Sequence, residues 1–236
     1  MLTRLYQRLR YQLFAPLPAD RKTDKPIKDR VRKLRYNLFG RLPFLGRKRS
    51  YGETHKAYAR RVREGFFEKY CAGRGLDVGY GGDPVTPNAM GWDFEHGDAQ
   101  LLRGLADAEF DFVYSSHLLE HLPNCELALK NWWRVLKPGG YLILYLPHRD
   151  LYEKKKELPS RFNDDHKHFF LPESDDPPDT LGLVPLLLRV SPSASVIYCR
   201  TCDDGYVDPG PTIESTGEFS IELVARKPRR NVFLET

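Results

Sequence analysis

The segment GLDVGYGGD, residues 75–83, constrains this chain more than any other stretch. It opens as a short buried strand and turns at once on glycines, which is how a doubly wound parallel sheet receives a nucleotide at the carboxyl end of a strand. Gly79, Gly81 and Gly82 carry no Cβ, so the backbone around Tyr80 can come close to a ligand. Asp77 stands just before the turn and favours a cationic ligand. A pyrophosphate site would need a third glycine where Pro84 stands, which argues against NAD.

The residues that follow extend the pattern. GWDF sets Asp93 at the end of a second strand, where a carboxylate can accept both hydroxyls of a ribose. GDAQ then offers Asp98 as acceptor for an adenine amino group, with Ala99 beside the base. FDFVYSS (110–116) reads as a buried strand leading into HLLEHL, and RVLKPGGYLILYLP (134–147) supplies a helix end, a Gly-Gly turn and another apolar strand.

As an ordered set these motifs resemble the class I S-adenosylmethionine-dependent methyltransferases, in particular the small-molecule branch with D-x-G-x-G-G, G-D-A, F-D-x-V-x-S-x-x-x-L-E-H and R-V-L-K-P-G-G. The resemblance implies an α/β, doubly wound, Rossmann-like three-layer sandwich with S-adenosyl-L-methionine as cofactor. It implies that Gly79, Tyr80, Gly81 and Gly82 lie against the methionine part, with Asp77 beside them, and that Asp93 grips the ribose. It also implies that Asp98 and Ala99 border the adenine and that Ser115, Ser116 and His117 close the site beneath the sulfonium. Two further strands are implied, for which residues 194–202 and 219–227 are candidates, giving a seven-stranded sheet.

The chain departs from that pattern at one edge. Only 28 residues separate Gly82 from Asp111, where two crossover helices and two strands usually stand, and a parallel crossover needs about a dozen residues or more. DPVTPNA is too short and too rich in proline for a regular helix. A trimmed β2/β3 edge without a regular third strand is expected, and this bears on Asp98 more than on Asp93.

Length suits one principal domain, read as residues 50–236, preceded by a basic helical N-terminal arm at 1–49. Residues 1–50 hold 15 Lys+Arg against 3 Asp, whereas the remainder holds 22 against 29 Asp+Glu. In the arm, Leu2, Leu5, Tyr6, Leu9 and Leu13 make one apolar stripe, and Ile27, Val31, Leu34 and Leu38 make a second. Packing of these stripes on the core is favoured over peripheral contact with an anionic membrane. Ser50 and Glu53 have capping-box spacing ahead of a helix expected to bury Tyr58, Val62, Phe66 and Tyr70 and to end near Gly73. A later helix is read in DTLGLVPLLLRV, interrupted by Pro185. No run is long and apolar enough to span a bilayer, and the four scattered cysteines suit a reducing, cytoplasmic setting.

Transfer of a methyl group to an alcohol needs a base near neutrality, and histidine is the natural choice. His148 follows the fifth core strand directly, and DDHKHFF offers His166 and His168 beside Asp164 and Asp165. These three are the candidate catalytic residues, His166 and His168 foremost. His117 and His121, at i and i+4, are read as strand-end and capping residues, since a two-histidine metal site would still lack ligands, so no metal is expected. The leading reading is O-methylation of a small molecule or a lipid-linked glycan. A nucleic-acid methyltransferase and a non-catalytic cofactor-binding scaffold are the rivals. Against the first, the chain shows neither an N-P-P-Y-like motif nor a recognisable RNA-binding module.

Overall fold

The structure is a computed structural model and describes residues 53–229. The arm at 1–49, with both of its expected helices, and the capping Ser50 lie outside the described residues. In chain order the elements are α1 (Glu53–Lys56), α2 (Tyr58–Arg63), α3 (Phe66–Tyr70), β1 (Gly75–Val78), β2 (Ala89–Trp92), β3 (Phe110–Ser116), α4 (Cys125–Val135), β4 (Leu136–Pro147), β5 (Phe169–Leu171), β6 (Thr180–Gly182), α5 (Leu183–Val190), β7 (Ser195–Cys202) and β8 (Ser220–Arg226).

Six strands form the central sheet in the order β2-β1-β3-β4-β8-β7, and β5 and β6 pair separately. The β1–β2, β1–β3 and β3–β4 pairs are parallel, while β8 runs antiparallel to both β4 and β7. The chain leaves β1 for β2 on one side and returns to β3 on the other, so the crevice beyond the carboxyl end of β1 is a topological switch point. The sheet has six strands rather than the seven expected, because no strand forms between β2 and β3. The trimmed edge read from the short 83–109 segment is present.

Helix α4 does part of the work of the missing strand. Asn124 caps it by accepting the Leu127 N–H at 2.9 Å. Its side chains then pin the turns that follow Asp98. Trp132 Nε1 donates to the Ala99 carbonyl at 2.8 Å, Asn131 Nδ2 to the Gln100 carbonyl at 2.9 Å, and Arg134 Nη1 to the Leu105 carbonyl at 2.9 Å. The backbone carbonyls that a sheet ladder would satisfy are thus satisfied by one helix face.

Alternation along the strands divides the core between the two faces of the sheet. Leu76, Val78, Val113, Leu142, Leu144 and Leu223 pack with Trp132 of α4 and Leu187 of α5. Phe112, Tyr114, Ile143 and Val224 pack with Phe66 and Tyr70 of α3. Helices therefore cover both faces, as the three-layer reading expects.

Two expected helices differ in detail. The 53–70 region is three short helices, because Gly65 adopts a left-handed φ of 62° between α2 and α3. Phe66 and Tyr70 are buried as predicted, but Tyr58 and Val62 are about half exposed, and α2 instead turns Arg60 and Arg61 into the protein. The reason lies in β8, whose Glu222 is fully buried on the sheet between β4 and β7. Arg61 Nε donates to Glu222 at 2.7 Å, Arg60 Nη1 to Glu222 at 3.0 Å and Arg60 Nη2 to Glu218 at 2.7 Å. The guanidinium groups hold the Glu222 carboxyl down at about 2 against the pull of burial. In the second case, Thr180–Gly182 is β6 and not helix, and Pro185 sits in the first turn of α5, where a missing N–H interrupts nothing.

Candidate functional site

The carboxyl ends of the parallel strands β1, β2, β3 and β4 lie along one edge of the sheet, and β1 runs directly into the glycine turn. Gly79 has φ +80°, and a Cβ there would meet Leu118 at 3.0 Å. Gly81 has φ +59°, and a Cβ built on it meets nothing within 4 Å, so the bend stands beside open space. Gly91 has a role that was not read from the sequence: a Cβ there would come within 2.4 Å of the Tyr80 ring, so the glycine of β2 makes room for the turn's one large side chain.

Asp93 leaves the end of β2 pointing at this bend. One carboxylate oxygen accepts the Gly81 N–H at 3.2 Å and the other accepts the N–H of Phe94 at 2.9 Å. The Asp93 N–H in turn reaches His96 Nδ1 at 3.1 Å. Phe94 is 91% exposed and stands next to the carboxylate as an apolar surface. Asp77 is placed differently. Its carboxylate is buried and accepts the Val85 N–H at 2.6 Å, bracing the far side of the loop. Burial pushes its carboxyl up to about 7; the Val85 N–H opposes the shift, and the nearby Asp83 carboxylate adds to it.

Asp98 lies on the surface, where its side chain accepts the Gln100 N–H at 2.8 Å and shapes the next turn. The Ala99 carbonyl is taken by Trp132. Ser115 donates to the Val78 carbonyl at 3.0 Å, fastening β3 to β1, and Ser116 accepts from Thr54 at 2.7 Å. His117 ends β3 with a left-handed φ of 49°, its Nε2 3.1 Å from Ser220 Oγ. Burial and neighbouring positive groups hold its imidazole down at about 3, so it is neutral.

The open bend and the carboxylate aimed at it suit S-adenosylmethionine. The aminoacyl and sulfonium part needs close backbone and no phosphate-binding donors, and the ribose needs a carboxylate acceptor. The residues that would hold it are Gly79, Tyr80, Gly81, Gly82 and Asp93, with Asp98 and Ala99 at the trimmed edge and Ser115 to His117 across the crevice.

The three candidate bases separate. His148 is buried after β4 and spends Nδ1 on the Asp150 N–H at 3.1 Å, while burial lowers its pKa. His168 is partly exposed, with Nε2 3.4 Å from the Pro123 carbonyl. His166 is buried with Nδ1 2.6 Å from Glu153 Oε1, and Glu153 is itself held by Ser160 Oγ at 2.6 Å. Neither Asp164 nor Asp165 orients this imidazole. The orienting acid is Glu153, thirteen positions earlier, which no local pattern in the sequence could have singled out. His166 also comes up against His121, with ring centroids 4.8 Å apart, and against Glu120, a fully buried acid in a short turn after β3. Burial pushes the Glu120 carboxyl up to about 8.

Residues 76–144 match the family model described as a methyltransferase domain. A protein of Mycolicibacterium smegmatis, described as a probable S-adenosylmethionine-dependent methyltransferase, is 26% identical over 145 residues, which make up 50% of this chain and 56% of that relative. The chain therefore spans little more than half the length of that protein. Among solved structures, a Thermotoga maritima methyltransferase described as a possible histamine N-methyltransferase is similar at 19% identity and TM-score 0.40, over 72% of this chain and 98% of that one. A methyltransferase from Archaeoglobus fulgidus is similar at 16% identity and TM-score 0.44, over 74% and 94%. One from Mesorhizobium loti is similar at 12% identity and TM-score 0.46, over 75% and 100%. The strand-to-glycine turn and the parallel sheet around it thus lie in the stretch, residues 76–144, whose sequence matches a methyltransferase domain.

Proposed function

We propose that this chain moves the methyl group of S-adenosylmethionine to an oxygen atom of a small molecule or glycan. The observation that carries the cofactor half of this reading is the Asp93 carboxylate turned onto the Gly81 N–H beside an open bend. Bound there, the cofactor supplies an electrophilic methyl group on a sulfonium. The chain's own task is to align the acceptor and to take its proton, and alignment alone can supply much of the acceleration. Oxygen is favoured over a neutral amine by the cluster of His166, Glu153 and Glu120, since an alcohol must lose its proton as it attacks and this cluster offers groups to receive or stabilise that charge.

Among the described residues no helix is long and apolar enough to cross a membrane, and all four cysteines are free thiols, which suits a reducing, cytoplasmic setting. Under the second reading of the arm, the excess of basic residues at 1–50 would meet anionic lipid, and through it a lipid-linked glycan.

Calorimetry with S-adenosylmethionine, followed by incubation with the labelled cofactor and fractionated cell extract, tests the proposal. One-to-one binding and label in a base-stable, non-polymeric product are expected. No cofactor binding would leave a scaffold, and label in RNA or DNA would replace the acceptor class.

A further inference from the structure

Just beyond β3 the fold gathers three side chains that the glycine turn does not use: Glu120, His121 and His166. Glu120 is fully buried, and neither of its carboxylate oxygens has a hydrogen-bond partner. Buried polar groups are almost always satisfied, and a carboxylate is among those least tolerated in that state. Three ring nitrogens stand near it. Glu120 Oε1 is 3.8 Å from His121 Nε2 and 4.0 Å from His166 Nε2, and one donor atom from each residue lies within 4.8 Å of the others. Such separations are too long for hydrogen bonds and leave room for an atom between them.

The remaining nitrogens explain why nothing closes the gap. His166 Nδ1 is 2.6 Å from Glu153 Oε1, and Glu153 is fixed in turn by Ser160 and the Arg161 N–H. His121 Nδ1 faces the Asp165 carbonyl at 3.3 Å and the Asp165 carboxylate at 3.5 Å. An acceptor at each Nδ1 places the proton there and leaves the Nε2 lone pair free, the arrangement in which outer carboxylates and carbonyls orient metal-bound histidines. Two lone pairs and an unpartnered carboxyl group then face one another across a gap that a cation would fill.

We infer that Glu120, His121 and His166 bind a divalent transition-metal ion. Two imidazoles and one carboxylate suit Zn2+, Mn2+ or Co2+ better than Mg2+ or Ca2+, which prefer all-oxygen shells. Three protein ligands leave a further coordination position for water or an acceptor hydroxyl. Each donor has to move inward by roughly 0.5 Å to reach bonding distance of ~2.1 Å. His117 Nδ1, 3.6 Å from Glu120 Oε1, stands at the edge of the group. From sequence the His117/His121 pair lacks further ligands. On the present inference the ligands are supplied by Glu120, hidden inside the i to i+4 spacing, and His166, brought in from 45 residues away. The site deepens the proposed reaction by giving an acceptor hydroxyl a charge to approach, but its existence does not rest on that reaction.

The test reads metal binding alone. The full chain, without a histidine tag and stripped with chelator, is titrated with Co2+ by visible absorption and with Zn2+ by calorimetry. The wild type is expected to take up one equivalent, with dissociation constants of about 10 μM or tighter and the intense visible bands of low-coordinate Co2+. Glu120→Gln and His121→Asn are expected to weaken binding by roughly ten-fold or more, while His168→Ala binds as the wild type does. Without metal, Glu120→Gln is expected to melt no lower than the wild type, since the carboxyl group it replaces has no hydrogen-bond partner to lose. Absence of saturable one-to-one binding to the wild type up to about 1 mM overturns the inference whether or not the variants fold. Undiminished affinity in both variants overturns it equally. Metal binding without methyl transfer would leave this site standing and remove only the proposed reaction.

Discussion

Arg61 Nε donates to Glu222 Oε2 at 2.7 Å, and both side chains are sealed from solvent in a layer where the sequence leads one to expect only apolar contacts. The bond ties α2 to β8, the strand that runs against β4 at the middle of the sheet. Removing one partner of such a pair strands the other charge, so Glu222→Gln should cost about 3–5 kcal/mol of stability at neutral pH. The acid limb of the stability curve checks the electrostatic origin. With its folded pKa near 2 and a value of 4.5 when free, Glu222 contributes fully above pH 4.5 and loses that contribution as pH falls towards 2. Denaturant unfolding should show the wild type losing stability across that window and Glu222→Gln varying much less; parallel curves would refute this.

For Asp93, replacement by alanine should weaken S-adenosylmethionine binding by about 1–3 kcal/mol, the usual worth of a charge-assisted hydrogen-bond pair. Because the same carboxylate receives the Gly81 N–H, part of the loss would come from a looser turn. Calorimetric affinity equal to that of the wild type would remove the residue from the site.

Asp77 gives a pH dependence of opposite sign. Its folded pKa near 7 lies above its free value of 3.8, so the native state holds a proton that the unfolded chain has released, and stability falls as pH rises between those values. Asp77→Asn keeps an acceptor for the Val85 N–H without a charge to bury. The variant should melt higher than the wild type at pH 8 and about equally at pH 4, and a difference independent of pH would contradict the assignment.

How much of this was legible beforehand depended on the range of the interaction. The glycine turn, Asp93 at the end of β2 and the trimmed edge are local: a handful of adjacent residues and one short interval specify them, and each was read correctly. The buried arginines of α2 were missed because Tyr58 and Val62 have the right periodicity for a core face, and the acids that reverse the helix lie near its partners only after β8 has been added to the sheet. His166 and Glu153 were separable from the neighbouring histidines and acids only in three dimensions. Residues 166 and 168 share the same composition of surroundings in the sequence, whereas one is buried on a carboxylate and the other touches a lone carbonyl.

That contrast can be measured directly. His166→Ala should lower turnover by about a hundred-fold or more, the usual scale for losing a group that prepares the acceptor hydroxyl, whether by taking its proton or by holding a cation it approaches, with cofactor affinity little changed. His168→Ala should stay within a few-fold of the wild type. The reverse ranking in steady-state assays would return the role to His168.

Trp132 is expected to act on the site from the core. Trp132→Phe keeps most of the apolar ring but leaves the Ala99 carbonyl without its donor, which costs about 1–3 kcal/mol. Cofactor affinity should fall together with the melting temperature, and a stable variant of normal affinity would show that the 98–107 turns hold their place unaided.

The absence of a strand between β2 and β3 has a dynamic corollary. A wall built of turns and hung from α4 has no zipper of its own, so it should open and close as part of the helix's own cooperative unit. Amide exchange in residues 98–107 would then keep pace with exchange in 125–135, and cofactor entry would be timed by the breathing of a helix whose opposite side belongs to the hydrophobic interior.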